Sequence, residues 1–147
     1  MIRFWDTSAL VKLYSSTEAG HRAALALLHG PRAKTVQQAT SMIAAVELVS
    51  ALARRTADAA LVGAACRQLE TLSQVEFSAR HRDLALRLAR SGVARGADTA
   101  IAAQVLVVAE ASVAPVEFVT ADEPQASLVE HEGTARRLGV TVVELPV

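Results

Sequence analysis

The side chains in this sequence best suited to chemistry are four carboxylates: Asp6, Glu47, Asp98 and Asp122. Asp6 and Asp122 each follow a short apolar run, where a buried strand would end. Oxygen ligands of this kind suit Mg²⁺ or Mn²⁺. Carboxylates that crowd together repel one another unless a cation compensates their charge. We therefore predict that these four residues form a metal site if the fold brings them together.

The three aspartates also have a purely structural interpretation. Asp6, Asp98 and Asp122 each stand near the start of a predicted helix, and aspartate is a favoured N-cap that contributes about 1 kcal/mol. Two capping-box patterns overlap near the last of them, Thr120 with Glu123 and Asp122 with Gln125. A cap explains any one of these residues without function, but caps do not require the acids to converge.

Glu47 is the most informative of the four acids. It lies in the segment Met42–Leu52, where every other residue except Ser50 is apolar. A carboxylate buried in such a helix needs a partner or a metal. The alternative is that Glu47, Ser50 and Arg54 form a narrow solvated stripe at positions i, i+3 and i+7. The sequence leaves both interpretations open.

The elements that must position these acids alternate between strands and helices. Apolar runs predict strands at Ile2–Trp5, Gln74–Phe77, Val116–Thr120 and Val140–Leu145, with a weak one at Lys34–Thr40. Periodic segments predict helices at Ala9–Tyr14, Thr17–Leu28, Met42–Arg55 (with Ser41 as N-cap), Ala57–Leu72, Arg80–Ser91 and Thr99–Ala111. This alternation favours an α/β fold with a parallel sheet covered on both faces. Ligands bind such sheets beyond the carboxyl ends of the strands, where Asp6 and Asp122 should emerge.

Composition limits the choice of protein class. A chain of 147 residues predicts a single domain spanning 1–147. The net charge is zero, so the basic excess common in nucleic-acid-binding proteins is lacking. Any phosphate contact must then come from local cations, and those near the acids in sequence are Lys12, Arg54, Arg55 and Arg95.

The remaining composition signals favour a cytoplasmic protein that does not enter a membrane. Cys66 is the one cysteine, which excludes an intrachain disulfide, and we expect it to be a buried thiol in a reducing compartment. The first residues contain Asp6 too early for a signal peptide. No apolar run reaches the roughly 20 residues needed to span a bilayer.

Four segments together resemble the PIN-domain nucleases, particularly the VapC-type toxins of toxin–antitoxin pairs. They are Asp6-Thr-Ser-Ala-Leu-Val-Lys-Leu-Tyr14, Ala45-Val-Glu-Leu-Val49, Asp98-Thr-Ala-Ile-Ala-Ala103 and Phe118-Val-Thr-Ala-Asp122. They occur in the family's order with comparable spacing and cover almost the whole chain. A single Asp-Thr-Ser-Ala would be a weak signal, whereas the set is specific.

The resemblance implies a three-layer α/β/α PIN-like fold with a central parallel sheet of about five strands. It further implies a Mg²⁺- or Mn²⁺-dependent endoribonuclease that hydrolyses RNA phosphodiester bonds, forms a homodimer and is inhibited by a cognate antitoxin. Asp6, Glu47, Asp98 and Asp122 match the family's catalytic and metal-binding acids, and Ser8 and Thr120 match hydroxyl positions near the metal. One departure is Glu123 after the fourth acid, where the family often has a basic residue.

Two other functions are weighed against this one. A haloacid-dehalogenase-like phosphatase also has an acid after its first strand, but it needs a second aspartate where Ser8 stands. A catalytically silent PIN-like module, retained for dimerisation or regulation, would tolerate loss of an acid, and all four are present. Metal-dependent RNA cleavage that Asp6→Asn or Asp98→Asn abolishes would distinguish the nuclease from both.

Overall fold

The computed structural model of the protein describes all of residues 1–147. Five parallel strands form one sheet in the order β3-β2-β1-β4-β5. The strands are β1 (Ile2–Trp5), β2 (Gln37–Ser41), β3 (Ser73–Val75), β4 (Val116–Thr120) and β5 (Val140–Glu144). The predicted parallel sheet of about five strands is therefore confirmed.

Seven α-helices and one short 3₁₀ helix connect the strands. The α-helices are α1 (Thr7–Lys12), α2 (His21–His29), α3 (Met42–Arg55), α4 (Ala59–Glu70), α5 (Ala79–Ala89), α6 (Gly96–Ala111) and α7 (Glu123–Ala135). The 3₁₀ helix is Pro31–Thr35. The predicted Met42–Arg55 helix is confirmed in both bounds, and the Ser41 hydroxyl caps it by accepting a hydrogen bond from the Ile43 amide at 2.9 Å.

The helices cover both faces of the sheet and make the predicted three-layer α/β/α arrangement. On one face Phe4 and Phe118 are fully buried with residues of α5, α6 and α7. On the other face Trp5 and Val119 are fully buried with residues of α1 to α4. Successive residues of β1 and β4 thus point into opposite cores, as side chains on a strand must.

The carboxyl ends of the two central strands lie side by side. Phe4 pairs with Phe118 and Trp5 with Val119 in the parallel register of β1 and β4. The Asp6 amide continues this ladder and donates to the Val119 carbonyl at 3.0 Å. The residues that follow β1 and β4 therefore share one edge of the sheet, which is the position expected for a ligand site.

β2 is a full member of the sheet although its sequence is polar. Its neighbour β1 satisfies two of its side chains: Trp5 Nε1 donates to Gln38 Oε1 at 2.7 Å, and Thr40 Oγ1 donates to the Trp5 carbonyl at 2.8 Å. Thr40 and Ser41 are both fully buried. Gln38 Nε2 is buried without a partner. A strand composed largely of polar residues carries little hydrophobic signal, which is why the sequence predicted it only weakly.

The second helix begins later than the predicted Thr17. Gly20 precedes it with φ at +84°, in the left-handed region that glycine adopts readily. The Glu18 amide donates to the Ser15 carbonyl at 3.0 Å, which closes a turn before the helix. Residues 13–20 therefore form a loop between α1 and α2, and Glu18 lies in it.

Two further observations concern the surface. Cys66 is exposed, so the expectation of a buried thiol was wrong. α4 turns Ala65 and Leu69 toward the core, and Cys66 lies next to Ala65 on the outer side of the helix. Separately, no helix combines the length and the apolar character required to cross a membrane.

Candidate active site

A cavity of about 580 Å³ opens at the carboxyl edge of the sheet, and all four predicted acids line it. Asp6 follows β1, Glu47 belongs to α3, Asp98 to α6, and Asp122 follows β4. They come from four separate stretches of the chain and meet only because β1 and β4 are neighbours and α3 and α6 pack beside them. The four acids therefore converge on one cavity, which they would not need to do if the aspartates served only as helix caps.

Asp6 has two carboxylate oxygens with very different surroundings. Its Oδ2 accepts hydrogen bonds from the Ser8 amide at 3.0 Å, from Ser8 Oγ at 2.6 Å and from Thr120 Oγ1 at 3.1 Å. Its Oδ1 is buried and has no hydrogen-bond partner. Burial raises the pKa of Asp6, and the hydrogen bonds from Ser8, the Thr7 amide and Thr120 oppose that rise. Asp6 is thus an N-cap through one oxygen and has an unused ligand in the other.

Asp122 also combines a cap with a place in the site. Its Oδ1 accepts from the Gln125 amide at 2.8 Å, which makes Asp122 the N-cap of α7. Thr120 is not the cap: its hydroxyl accepts from the Asp122 amide at 3.0 Å instead. The Gln125 side chain does not reach back to the Asp122 amide. Neither predicted capping box is therefore complete.

Ser8 and Thr120 hold Asp6 in place from two different elements. Their hydroxyl oxygens are 3.2 Å apart, and each contacts Asp6 Oδ2. Ser8 Oγ also accepts from the Ala121 amide at 2.8 Å, which ties α1 to the end of β4. The structure therefore gives both hydroxyls a contact with the first acid.

Glu47 is half-buried, and its Oε2 accepts from Thr7 Oγ1 at 2.6 Å. Ser50 and Arg54 line the same cavity, and Arg54 Nη1 donates to Ser50 Oγ at 2.5 Å. The polar stripe of α3 is real, but it faces the cavity that the other acids line. The two interpretations of Glu47, as a site residue and as part of a polar stripe, are therefore compatible.

Asp98 lies in the first turn of α6 and is not its N-cap. The helix begins at Gly96 with Arg95 as the capping residue, because residues 96–98 adopt helical geometry that the glycine and the predicted loop did not indicate. The prediction that the helix begins near Thr99 was wrong in this respect. An acid in the first turn is still favoured by the helix dipole.

The charges of the site act on one another most clearly at Asp98. Partial burial, followed by the negative charges of Asp6, Asp122 and Glu47, raises the pKa of Asp98 to about 6, and Arg95 opposes the rise. The like charges of the other three carboxylates thus favour the protonated form of this acid. Such mutual repulsion is the electrostatic signature of a site that a cation would stabilise.

Gln125 is a site residue whose role the sequence did not reveal. It is fully buried, and its Nε2 donates to the Asp98 carbonyl at 3.0 Å. Its Oε1 lies 3.1 Å from Thr120 Oγ1, whose single proton is donated either to this oxygen or to Asp6 Oδ2. Gln125 therefore joins the start of α6 to the end of β4. The only signal in the sequence was its spacing from Asp122, which equally predicts a capping partner.

The donor set fits a hard divalent cation. Every candidate ligand is a carboxylate or hydroxyl oxygen, and one buried oxygen, Asp6 Oδ1, lacks a partner. No three Asp, Glu, His or Cys side chains stand close enough to hold an ion unaided. Mg²⁺ commonly takes only one or two carboxylates and completes its shell with water and substrate phosphate. A cavity this open is compatible with that arrangement.

Cations also line the cavity. All four basic residues predicted to lie near the acids are among its lining residues: Lys12, Arg54, Arg55 and Arg95. Glu123 is exposed and is not part of the lining. The departure noted at that position in the sequence therefore does not add a carboxylate to the cavity wall.

Comparison with known proteins is consistent with this geometry. A family model for the PIN domain matches residues 3–129. A comparison with curated protein sequences gives no significant match.

Similar folds occur among solved structures. The chain is similar to one in VapBC2 from Rickettsia felis bound to a DNA fragment from their promoter, at 20% identity with a TM-score of 0.61 over 99% of both chains. It is similar to one in a toxin–antitoxin complex from Klebsiella pneumoniae, at 17% identity and 0.66 over 95% of both. It is also similar to one in VapBC-1 from nontypeable Haemophilus influenzae, at 12% identity and 0.66 over 98% of both.

Proposed function

Because the chain belongs to the PIN-domain family, whose members are typically nucleases that use divalent metal ions, we propose that it is a Mg²⁺- or Mn²⁺-dependent endoribonuclease. The observation that carries this proposal is the convergence of Asp6, Glu47, Asp98 and Asp122 on one cavity, with a buried Asp6 oxygen left unpaired. The family match ends at residue 129, but β5 pairs with β4 along its full length, which supports one domain spanning 1–147.

The four acids have distinct parts in the proposed reaction. Asp6 would hold the cation through Oδ1, because Ser8 and Thr120 occupy Oδ2. Asp98 and Asp122 would contribute further oxygens to the cation, directly or through its bound waters. Glu47 keeps Oε1 available to ligate or to accept a proton from water, since Thr7 engages Oε2.

The chemistry is hydrolysis of a phosphodiester. A water oxygen bonds to phosphorus, one P–O bond to a ribose breaks, and the departing ribose oxygen gains a proton. A bound divalent cation supplies positive charge for the phosphoryl oxygens and lowers the pKa of the attacking water. The residues of this chain orient the reactants. Ser8 and Thr120 hold the Asp6 carboxylate in position, and Gln125 holds the start of α6, which carries Asp98.

We further propose that the chain acts as the toxin of a type II toxin–antitoxin pair. The structural neighbours named above come from VapBC and toxin–antitoxin complexes, which supports a protein partner of this kind. An apolar groove on α3 and α4 adjoins the cavity and shares Val46 and Ser50 with it. Met42 and Val46 are exposed there, 45% and 70% respectively, so the groove offers apolar area to a partner chain. A homodimer and a cytoplasmic location remain part of this proposal.

The experiment is cleavage of single-stranded RNA by the purified chain with Mn²⁺ or Mg²⁺, and with EDTA. We expect cleavage that requires the metal and falls by at least about 10²-fold in Asp6→Asn and Asp98→Asn, since each removes a ligand charge. Glu123→Gln is the matched control, because Glu123 is exposed outside the cavity. Equal cleavage by all variants would indicate a contaminating nuclease, and no cleavage by any of them would indicate a silent PIN-like module.

A further inference from the structure

Three charged side chains form a network on the wall of the cavity. Lys12 Nζ and Arg55 Nη1 both contact Glu18, at 3.3 Å from Oε2 and 3.3 Å from Oε1 respectively. All three residues line the cavity. One carboxylate therefore bridges two cations with its two oxygens.

Lys12 is an unusual member of this network. Its side chain is only 8% exposed, whereas Glu18 and Arg55 are 35% and 59% exposed. Burying an ammonium group is costly unless the charge is paired. Burial acts to raise the pKa of Glu18, but hydrogen bonds from Lys12 and Ser15 and the charges of Lys12 and Arg55 together hold it below its usual value. The network is thus a pair of positive charges bridged by one partly exposed carboxylate, which leaves the three side chains with a net charge of +1.

The network stands at a useful distance from the acids. Asp6 caps the start of α1 and Lys12 is its last residue, so about 9 Å of helix separates them. The chain has no net positive charge, so its affinity for a phosphate backbone must depend on cations placed in this way. If the scissile phosphate of a bound RNA lay at the four acids, a neighbouring phosphate of the same RNA would lie near Lys12 and Arg55.

We propose that Lys12 and Arg55 bind an RNA phosphate beside the cleaved one, and that Glu18 occupies this subsite in the free protein. The proposal rests on the nuclease function proposed above. A carboxylate and a phosphodiester each present two oxygens that share one negative charge, so one can replace the other between the same two cations.

Glu18 is placed to leave the subsite when RNA enters. It lies in the loop between α1 and α2, and its side chain is partly exposed. Rotation of the side chain releases both cations without moving the backbone, which the bond from the Glu18 amide to the Ser15 carbonyl holds. Glu18 therefore competes with RNA and weakens its binding.

The test measures the Kd of a short single-stranded RNA in EDTA by fluorescence anisotropy. We expect Glu18→Gln to bind about 2- to 5-fold more tightly, the factor equivalent to an exposed ion pair. We expect Arg55→Gln to bind more weakly and to lower the slope of log Kd against log salt by about 0.7, as loss of one phosphate contact does for single strands. Lys12 is buried, so the exposed Arg55 is the safer cation to replace.

The surface pair Arg80–Glu110, with N and O atoms 2.9 Å apart, provides matched controls. Glu110→Gln and Arg80→Gln change the net charge identically but lie away from the cavity lining. If Glu18→Gln matches Glu110→Gln in Kd while the wild type cleaves RNA with Mn²⁺, the subsite is wrong and the nuclease stands. If the binding differences appear without cleavage, the nuclease is wrong and the phosphate subsite stands. If neither appears, both are wrong.

Discussion

At the scale of single residues, the two carboxylate oxygens of Asp6 have different roles: one stabilises the fold, and the other is available to a ligand. Oδ2 accepts three hydrogen bonds and caps α1, whereas Oδ1 is buried without a partner. A buried carboxylate oxygen without a hydrogen bond destabilises the folded chain. A cation bound to Oδ1 would remove this cost. The hydrogen bonds to Oδ2 would then orient Oδ1 toward the cation.

Thr120→Val is expected to weaken metal binding more than its lost hydrogen bond alone suggests. The fully buried hydroxyl contacts both Asp6 Oδ2 and Gln125 Oε1. Removal of such a partner of a ligand typically lowers metal affinity by about 10- to 100-fold. Isothermal titration with Mn²⁺ measures the effect.

Thr40→Val is the matched control for that substitution. Thr40 is equally buried and donates to the Trp5 carbonyl in the neighbouring strand, but it forms no hydrogen bond with Asp6 or Gln125. Both variants should lose about 1–3 kcal/mol of stability, because each leaves a buried partner unpaired. Equal Mn²⁺ affinity in the two variants would contradict the role given to Thr120.

Residue types and spacing predicted the four acids, and the family resemblance added Ser8 and Thr120. The four acids and Ser8 line the cavity, whereas Thr120 is fully buried and contacts Asp6. For Asp6 and Asp122 the reason is that strand ends in a parallel sheet share an edge, a rule that needs no coordinates.

Residue types and spacing did not predict Gln125 or the exposure of Cys66. The burial of Gln125 and the exposure of Cys66 both depend on which face of their helix packs against the rest of the molecule. The sequence of a single helix specifies that face poorly when apolar residues occur on several sides of the helix.

At the scale of elements, the site depends on how α6 and α7 are joined. Gln125 in α7 donates to the Asp98 carbonyl in the first turn of α6. α6 is buried along most of its length and carries no charged side chain between Asp98 and Glu110. The helix is therefore a rigid apolar support whose one catalytic candidate lies at its exposed start.

Gln125→Met is expected to release the start of α6 and lower both metal affinity and cleavage, with a loss of about 1–3 kcal/mol in stability. Gln104→Met is the control on α6 itself. Gln104 is as fully buried and bonds Ser41 Oγ and the Val75 carbonyl, neither of which is hydrogen-bonded to one of the four acids. Chemical denaturation and Mn²⁺ titration of both variants measure this. A loss of metal affinity in Gln104→Met as large as in Gln125→Met would contradict it.

The predicted elements were right in kind and differed mainly at their ends, but no ranges were predicted for α7 (Glu123–Ala135) or the 3₁₀ helix (Pro31–Thr35). The sequence indicated every strand, but α6 begins at Gly96 and α2 begins at His21. Because glycine is disfavoured within helices, the sequence predicted Gly96 to lie in the preceding loop. The consequence for the site is that Asp98 lies inside a helix turn and does not cap it.

At the scale of the whole molecule, folding brings carboxylates of like charge together, and their repulsion lowers the stability of the folded state. Asp98 has a pKa of about 6 in the folded chain against an ordinary value of 3.8, and burial raises the pKa of Asp6 too. A raised carboxylate pKa means that the folded state holds a proton more firmly than the unfolded state. Its contribution to stability is complete below about pH 4 and is lost as the pH rises through about 6.

The melting temperature in EDTA should show this loss. Asp98→Asn mimics the neutral acid, so the variant should gain on the wild type steadily between about pH 4 and 7. Mg²⁺ should reverse the difference at pH 7, because it binds the wild type and stabilises it by mass action. A difference that stays constant with pH, measured by calorimetric scans in one buffer series, would contradict the coupling of Asp98 to the other acids.

The most direct test of the account is Mn²⁺ binding by isothermal titration to the wild type and to four charge-neutralised variants. The variants are Asp6→Asn, Glu47→Gln, Asp98→Asn and Asp122→Asn. We predict saturable binding that each variant weakens by at least about 10-fold, while Glu123→Gln leaves it unchanged. Wild-type affinity in Glu47→Gln or Asp98→Asn would contradict the claim that four distant carboxylates form one metal site.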